Sequence, residues 1–267
     1  MQVPAIGIVD THAHCYLESM QSTKEQWIDR IRQENIEKIL LPNIDLDSIE
    51  SMHQLCDEFS DLFLPMMGLH PCDVKENYEK DLETIKSFLY HNPKRYCGVG
   101  EIGLDYHWDL NYVEHQKKAL CIQFEWAIDL KKSVSIHARK ANQDVIPLIS
   151  KYSKDGLTGV MHCFSGNIQE AKKIIDTGFY LGIGGVITYP KAGLAEVIRE
   201  ISLDHIVLET DAPFLPPVPH RGKPNEPSYL KHVVEFISEL KGITKQEVIE
   251  KTTQNAYNCY QLADFNS

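Results

Sequence analysis

The stretch Ile6-Gly7-Ile8-Val9-Asp10-Thr11-His12-Ala13-His14 decides the fold. A short apolar run rich in β-branched residues reads as a buried strand. Side chains alternate across a strand, so His12 and His14 share a face. Two imidazoles side by side at the end of such a run form half of a metal clamp. The pair alone is weak, and the rest of the chain must supply further ligands at matching places.

Working outward, similar runs recur at 38–42, 63–69, 97–102, 134–137, 159–163, 179–183 and 205–210, which with 6–10 makes eight. Between them lie helical patterns. Leu120, Phe124, Ala127 and Ile128 recur at three- and four-residue spacing, as do Ala171, Ile174 and Ile175. Asn167 with Glu170, and Thr244 with Glu247, read as capping-box helix starts, and Gly178 sits where a helix should stop. Eight strands alternating with helices over this length predict an α/β fold of the (β/α)8 TIM-barrel type, here a single hydrolase domain over 1–267. An open doubly wound sheet gives a similar alternation. Against it, no Gly-x-Gly-x-x-Gly turn follows the first strand, and unusual polar residues fall at many strand ends. The segment 213–227 holds six of the thirteen prolines directly after the eighth strand, and predicts a rigid lid or wall over the catalytic face.

Composition narrows the function. A net charge of −11 argues against a broad basic surface that wraps duplex nucleic acid, while leaving room for a local positive site. Seven scattered cysteines, none spaced C-x-x-C, fit reduced thiols better than disulfides or a thiolate zinc site. The N-terminus lacks a signal-peptide pattern and no apolar run approaches membrane length. The expectation is a soluble cytoplasmic protein without a membrane partner, a monomer or weak oligomer.

Active sites of such barrels lie at the C-terminal ends of the strands. There the chain places His12 and His14, His70, Glu101, His137, His162, Glu209 and Asp211. One histidine on an apolar strand is ordinarily a satisfied core residue. Five histidines with Glu101 and Asp211 at strand ends are not, because buried ionisable groups are costly unless paired or metal-bound. These ligands exceed the needs of one ion, so two divalent ions are expected, roughly 3.5–4 Å apart. Glu101 would bridge them; His12, His14 and Asp211 would hold one, and His137 and His162 the other. Two divalent ions less two carboxylates and a shared hydroxide leave about one positive charge, suited to an anionic substrate. Zinc, manganese, iron or nickel suits the imidazoles better than magnesium, though loosely held magnesium is compatible with the carboxylate-rich position.

Seven segments in order resemble the TatD family of metal-dependent deoxyribonucleases: Asp10-Thr11-His12-Ala13-His14, Gly68-Leu69-His70-Pro71, Gly100-Glu101-Ile102-Gly103-Leu104-Asp105-Tyr106, His137-Ala138-Arg139, His162-Cys163-Phe164-Ser165-Gly166, Glu209-Thr210-Asp211-Ala212-Pro213 and Arg221-Gly222-Lys223-Pro224-Asn225-Glu226-Pro227. The resemblance implies hydrolysis of DNA phosphodiester bonds, typically trimming single strands from the 3′ end. Pro224 stands where the family motif has arginine. On this reading Asp211 is the general base beside the bridging Glu101, and His70 and Arg139 contact the phosphate. Glu209 shares parity with Asp211, as a partner one layer down or a structural carboxylate. Arg221 and Lys223 could hold phosphates from the loop, against the ordinary reading of exposed basic residues as solvated. His107 and Trp108 follow strand four closely enough to reach substrate by base stacking, though nothing in the sequence requires it. His53, His91, His115 and His232 read as surface residues, Cys15 and Cys163 have the wrong parity for ligands, and Cys72 is undecided.

Two other functions fit the same barrel. An amidohydrolase acting on a small cyclic amide or ester often bridges its metals with a carboxylated lysine at the end of strand four, where this chain has Glu101. An inactive barrel used as a binding protein requires a missing ligand, and no ligand is missing.

Overall fold

A computed structural model describes residues 6–265, so the outermost ends of the expected 1–267 domain lie outside the described residues. Among these, eight strands form one sheet in chain order: β1 (Ile8–Asp10), β2 (Ile36–Pro42), β3 (Phe63–Met66), β4 (Gly98–Asp105), β5 (Ser133–Arg139), β6 (Gly159–Met161), β7 (Tyr180–Ile183) and β8 (Ile206–Leu208). Every neighbouring pair is parallel. The first and last strands are drawn together just past their ends, where Thr11 N–H donates to Leu208 O (2.9 Å) and Asp211 N–H to His12 O (2.8 Å). Those bonds bring the sheet to a nearly closed TIM barrel.

The expected strands are present with shifted ends. β4 runs on to Asp105, and β6 stops at Met161, short of His162 and Cys163. Both capping boxes form, at Asn167 and Glu170 and at Thr244 and Glu247. Gly178 has φ +85°, the left-handed conformation that lets the chain turn into β7.

Alternation of side chains divides the core in two. Outward-facing residues such as Ile39, Leu41, Val99, Ile102, Ile136 and Ile183 pack under the surrounding helices, among them Lys24–Gln33, Ser48–Glu58, Tyr78–His91 and Val113–Leu130. A second cluster, containing Val9, Leu40, Leu64, Met66, Val160 and Val207, fills the barrel itself. It is completed from below by Ala256, Cys259, Tyr260 and Leu262, from the helix Lys245–Tyr260 and the turn after it. Polar bonds seat that helix: Thr253 Oγ1 donates to Gly7 O, Ser133 Oγ to Cys259 O, and Asn255 Nδ2 to Leu203 O and Ile206 O. With one end plugged, the opposite end is left for chemistry.

The proline-rich segment is a wall tied on several sides. Asn225 Nδ2 donates to Thr210 O (2.8 Å) and Phe214 O (2.7 Å), and Tyr189 Oη donates to Pro216 O (2.8 Å). Arg30 makes two 2.6 Å bonds to the carboxylate of Glu226, the bidentate geometry that best fixes a guanidinium.

Candidate metal centre

The two oxygens of Glu101 face two different groups of imidazoles. Oε2 lies 3.2 Å from His12 Nε2 and 3.3 Å from His14 Nε2. Oε1 lies 3.0 Å from His137 Nδ1, 3.5 Å from His70 Nε2 and 3.9 Å from His162 Nε2. Asp211 Oδ1 closes the first group at 3.6 Å from His14, 3.8 Å from His12 and 3.7 Å from His162. Glu101 reaches this position where the β4–β5 register slips between Val99 and Ile102, the kind of irregularity that re-aims a side chain. Asp211 has φ +57°, a left-handed backbone that costs roughly 1–2 kcal/mol in a non-glycine residue, and its N–H is held by His12 O.

Hydrogen-bond partners on the outer side of each ring assign its inner nitrogen. Tyr16 Oη donates its one proton to Pro42 O (2.6 Å), so it accepts from His14 Nδ1–H (2.9 Å). With that bond made on the outer side, Nε2 is the His14 nitrogen turned to the centre. His70 has the reverse arrangement. Its Nδ1 accepts from Cys72 N–H (3.1 Å), so Nε2 carries the proton and enters the centre as a donor. His162 sets Nδ1 3.0 Å from Glu209 Oε1, leaving Nε2 to the centre. His12 Nδ1 is held by Ser135 Oγ at 2.9 Å.

This donor set fits a divalent cation. His12 Nε2 and His14 Nε2 stand 3.1 Å apart beside Glu101 Oε2, so three potential ligand atoms converge on one point. Ligands at about 2.1 Å around a tetrahedral ion are separated by about 3.4 Å, which matches these spacings. Among the groups close enough to hold an ion are His12 with His14 and Glu101, and His12 with His162 and Asp211; His70 also converges with Glu101 and His137, but there it presents a proton. His162 therefore stands closer to His12, its ring stacked on it at 3.4 Å, than to His137, at 6.5 Å.

A family model described as TatD related DNase matches residues 9–261. The chain belongs to the TatD-related DNase family. It is 36% identical over 256 residues to the "Uncharacterized metal-dependent hydrolase YabD" of Bacillus subtilis, spanning 96% of this chain and 99% of that protein. Identity to the similarly named YjjV of Escherichia coli K12 is 29% over 255 residues, 95% and 98% of the two chains. The crystal structure of that TatD homologue superposes with a TM-score of 0.89 at 28% identity, over 95% of this chain and 98% of the other. A TatD-family hydrolase from Entamoeba histolytica, 20% identical over 96% and 98% of the chains, shares the fold with a TM-score of 0.84. The chain is a metal-dependent hydrolase of the TatD family.

In this TatD chain, charge and burial shape the protonation of the centre. Burial pushes Asp211 up to about 6, against the opposing pull of His162 and His14. Burial alone would raise Glu101, but His70, His12 and the bonds from His12 and His137 hold it well below the usual carboxylate range. Burial would lower His137, yet contacts with Asp105 and Glu101 bring it up to about 9. His162 rises likewise to about 10 against burial, through Glu209, Asp211 and Glu101. Burial and the neighbouring His162 hold His12 well below the ordinary imidazole value.

Of the residues expected at substrate, His70 lies inside the centre, whereas Arg139 and Arg221 are exposed at its rim. Arg139 rests over Trp108 at 5.2 Å and Arg221 over Tyr189 at 3.9 Å. Glu209 is buried one layer below, against His162 and accepting from Cys163 N–H (2.6 Å). His115 stacks between Tyr78 and Tyr112, and His53 meets Tyr96, so neither is a bare surface residue. Sequence reasoning gave no role to Tyr16, Ser135 or Asp105. Asp105 Oδ2 lies 2.9 Å from His137 Nε2 and so holds a ligand ring from outside. Parity was a weak signal for Ser135, two residues before His137 on β5, whereas Tyr16 lies in a turn where parity says nothing.

Proposed function

We propose that this metal-dependent hydrolase, read as one domain over 1–267, cleaves phosphodiester bonds of DNA and trims single strands from the 3′ end. The observation that carries the reading is the split of Glu101, whose two oxygens face separate imidazole groups as a bridging carboxylate would. On this reading His12, His14, Asp211 and Glu101 would hold one divalent ion, and His137, His162 and Glu101 a second, the metal being zinc, manganese or magnesium. When bound, such ions supply Lewis acidity and bring the pKa of water toward neutrality. Asp211 would accept the attacking water's proton on its carboxylate. His70 donates from Nε2 to a phosphate oxygen, and Arg139, with Arg221 farther out, offers the backbone a fork of N–H donors. Asp105 and Glu209 keep His137 and His162 turned toward the centre. The DNA assignment itself rests on the family's name.

The test is a metal-supplemented assay with 3′- and 5′-labelled single- and double-stranded DNA, run beside Glu101→Gln and Asp211→Asn. Stepwise loss of 3′ nucleotides is expected from the native protein. Each variant should lose on the order of 10²–10³-fold or more of that rate. Intact DNA alongside cleavage of a cyclic amide or ester would replace this reading with the amidohydrolase one.

A further inference from the structure

We propose that Trp108 and Arg139 form a subsite for an unpaired nucleobase and its flanking phosphate, tied to the metal centre by Asp105; this rests on the DNA reading above. The chain has three tryptophans. Trp27 and Trp126 are 1% and 5% exposed, while Trp108 is 70% exposed. An indole offers about 150–250 Å² of surface for burial, and here that surface is left in water at the catalytic end of the barrel. The segment carrying it is nevertheless fixed. Asp105 Oδ1 accepts from the backbone N–H of His107 (2.8 Å) and of Trp108 (3.3 Å). Tyr106 N–H donates to Arg139 O (2.9 Å), and Tyr106 Oη to Asp144 Oδ2 (2.7 Å). Among the described residues, the indole has an edge-on ring contact with His107, at 4.8 Å, and a cation contact with the Arg139 guanidinium at 5.2 Å. A held loop presenting a free aromatic surface is organised in advance for a flat ligand, so binding need not order it.

The neighbours specify which flat ligand. Every nucleobase has a face that stacks on an aromatic ring, and such stacking tolerates any sequence. Arg139 follows the ligand His137 by two residues and pairs naturally with the phosphate beside a stacked base. In a protein of net charge −11 a local guanidinium is needed to keep a polyanion at this rim. Asp105 makes the geometry specific, since one oxygen touches His137 Nε2 (2.9 Å) while the other holds the Trp108 backbone. One carboxylate thereby sets the distance between the stacked base and the scissile phosphate. Bases inside a duplex are already stacked and cannot offer a face, so this subsite selects unpaired strands.

The burial of the other two tryptophans makes Trp108 a reporter that needs no turnover. Chelated protein titrated with oligothymidylate should show quenching and a blue shift of the exposed tryptophan emission. An abasic oligonucleotide of equal length should leave that emission unmoved, and Trp108→Ala should lack the response. In metal-supplemented cleavage, Trp108→Ala should raise the KM for oligothymidylate roughly 5- to 100-fold relative to its effect on the abasic strand. Trp108→Phe should restore most of the difference. Cleavage of oligothymidylate with the same KM by native protein and Trp108→Ala, or binding without change in emission, overturns the subsite and leaves the DNA reading standing. Failure to bind or cleave any DNA overturns both.

Discussion

At the C-terminal mouth of the barrel His12, His14, Glu101 and His162 are buried with polar atoms converging on one another; at the opposite end Ala256, Cys259, Tyr260 and Leu262 fill the space between the strand starts. The same eight strands supply both ends. Below, apolar side chains gain by leaving water and need no particular orientation. Above, each buried polar group is tolerable only with a partner, and each imidazole is oriented by an outer contact: Ser135 for His12, Tyr16 for His14, Glu209 for His162 and Asp105 for His137. The plug therefore contributes burial without orientation, and orientation is concentrated in the ring of outer contacts.

The largest effect expected from this division is on folding. Leu262 is fully buried at the plug, so Leu262→Ala should cost about 2–5 kcal/mol of stability through lost burial and the cavity left behind. Denaturant unfolding reads that cost, while kcat of the folded fraction should stay at the native value. A variant of native stability with collapsed turnover would show that the two ends are coupled, and the division would fail.

Asp105→Asn attacks the other end. It keeps volume and hydrogen-bonding capacity but removes the charge facing His137 Nε2. Loss of such an outer partner typically weakens metal affinity about 10- to 100-fold. Competition with a chelator measures this, and the metal-free variant should still unfold cooperatively, at a temperature lowered only by the lost contact with His137. If metal affinity were unchanged and the metal-free variant unfolded early, Asp105 would belong with the structural groups.

How far the sequence reached follows the same division. Strand number and order were legible because buried parallel strands read as apolar runs, and Asn167, Glu170, Thr244 and Glu247 cap helices by purely local geometry. His12, His14, Glu101, His137, His162 and Asp211 stood out because ionisable residues seldom end apolar strands. Three-dimensional placement was less legible. Nothing in the spacing of His162 puts its ring 3.4 Å from that of His12, since the two are brought together only by barrel closure. Tyr16 and Ser135 are ordinary residues until Pro42 O and His12 Nδ1 are known to lie beside them. The tautomer of His70, which makes it a donor, depends on a backbone N–H two residues on.

The smallest effect is a shift with pH, and it separates the imidazoles of the mouth from one another. Both ring nitrogens of metal-free His137 face carboxylate oxygens, at 3.0 Å and 2.9 Å, so both carry protons. The contacts with Asp105 and Glu101 outweigh burial and raise His137 to about 9, and Glu209 leads those that raise His162 to about 10. A raised folded-state pKa stabilises the metal-free protein fully below the ordinary imidazole value, and that contribution disappears as pH rises through 9 to 10. A metal ion needs the lone pairs those protons occupy. Binding near pH 7 should thus release up to about two protons, and apparent metal affinity should climb with pH before levelling above this window. Calorimetric titrations in buffers of different ionisation enthalpy count the protons directly. A heat independent of buffer would mean that His137 and His162 already hold their lone pairs free, and that the carboxylates around them orient the rings without charging them.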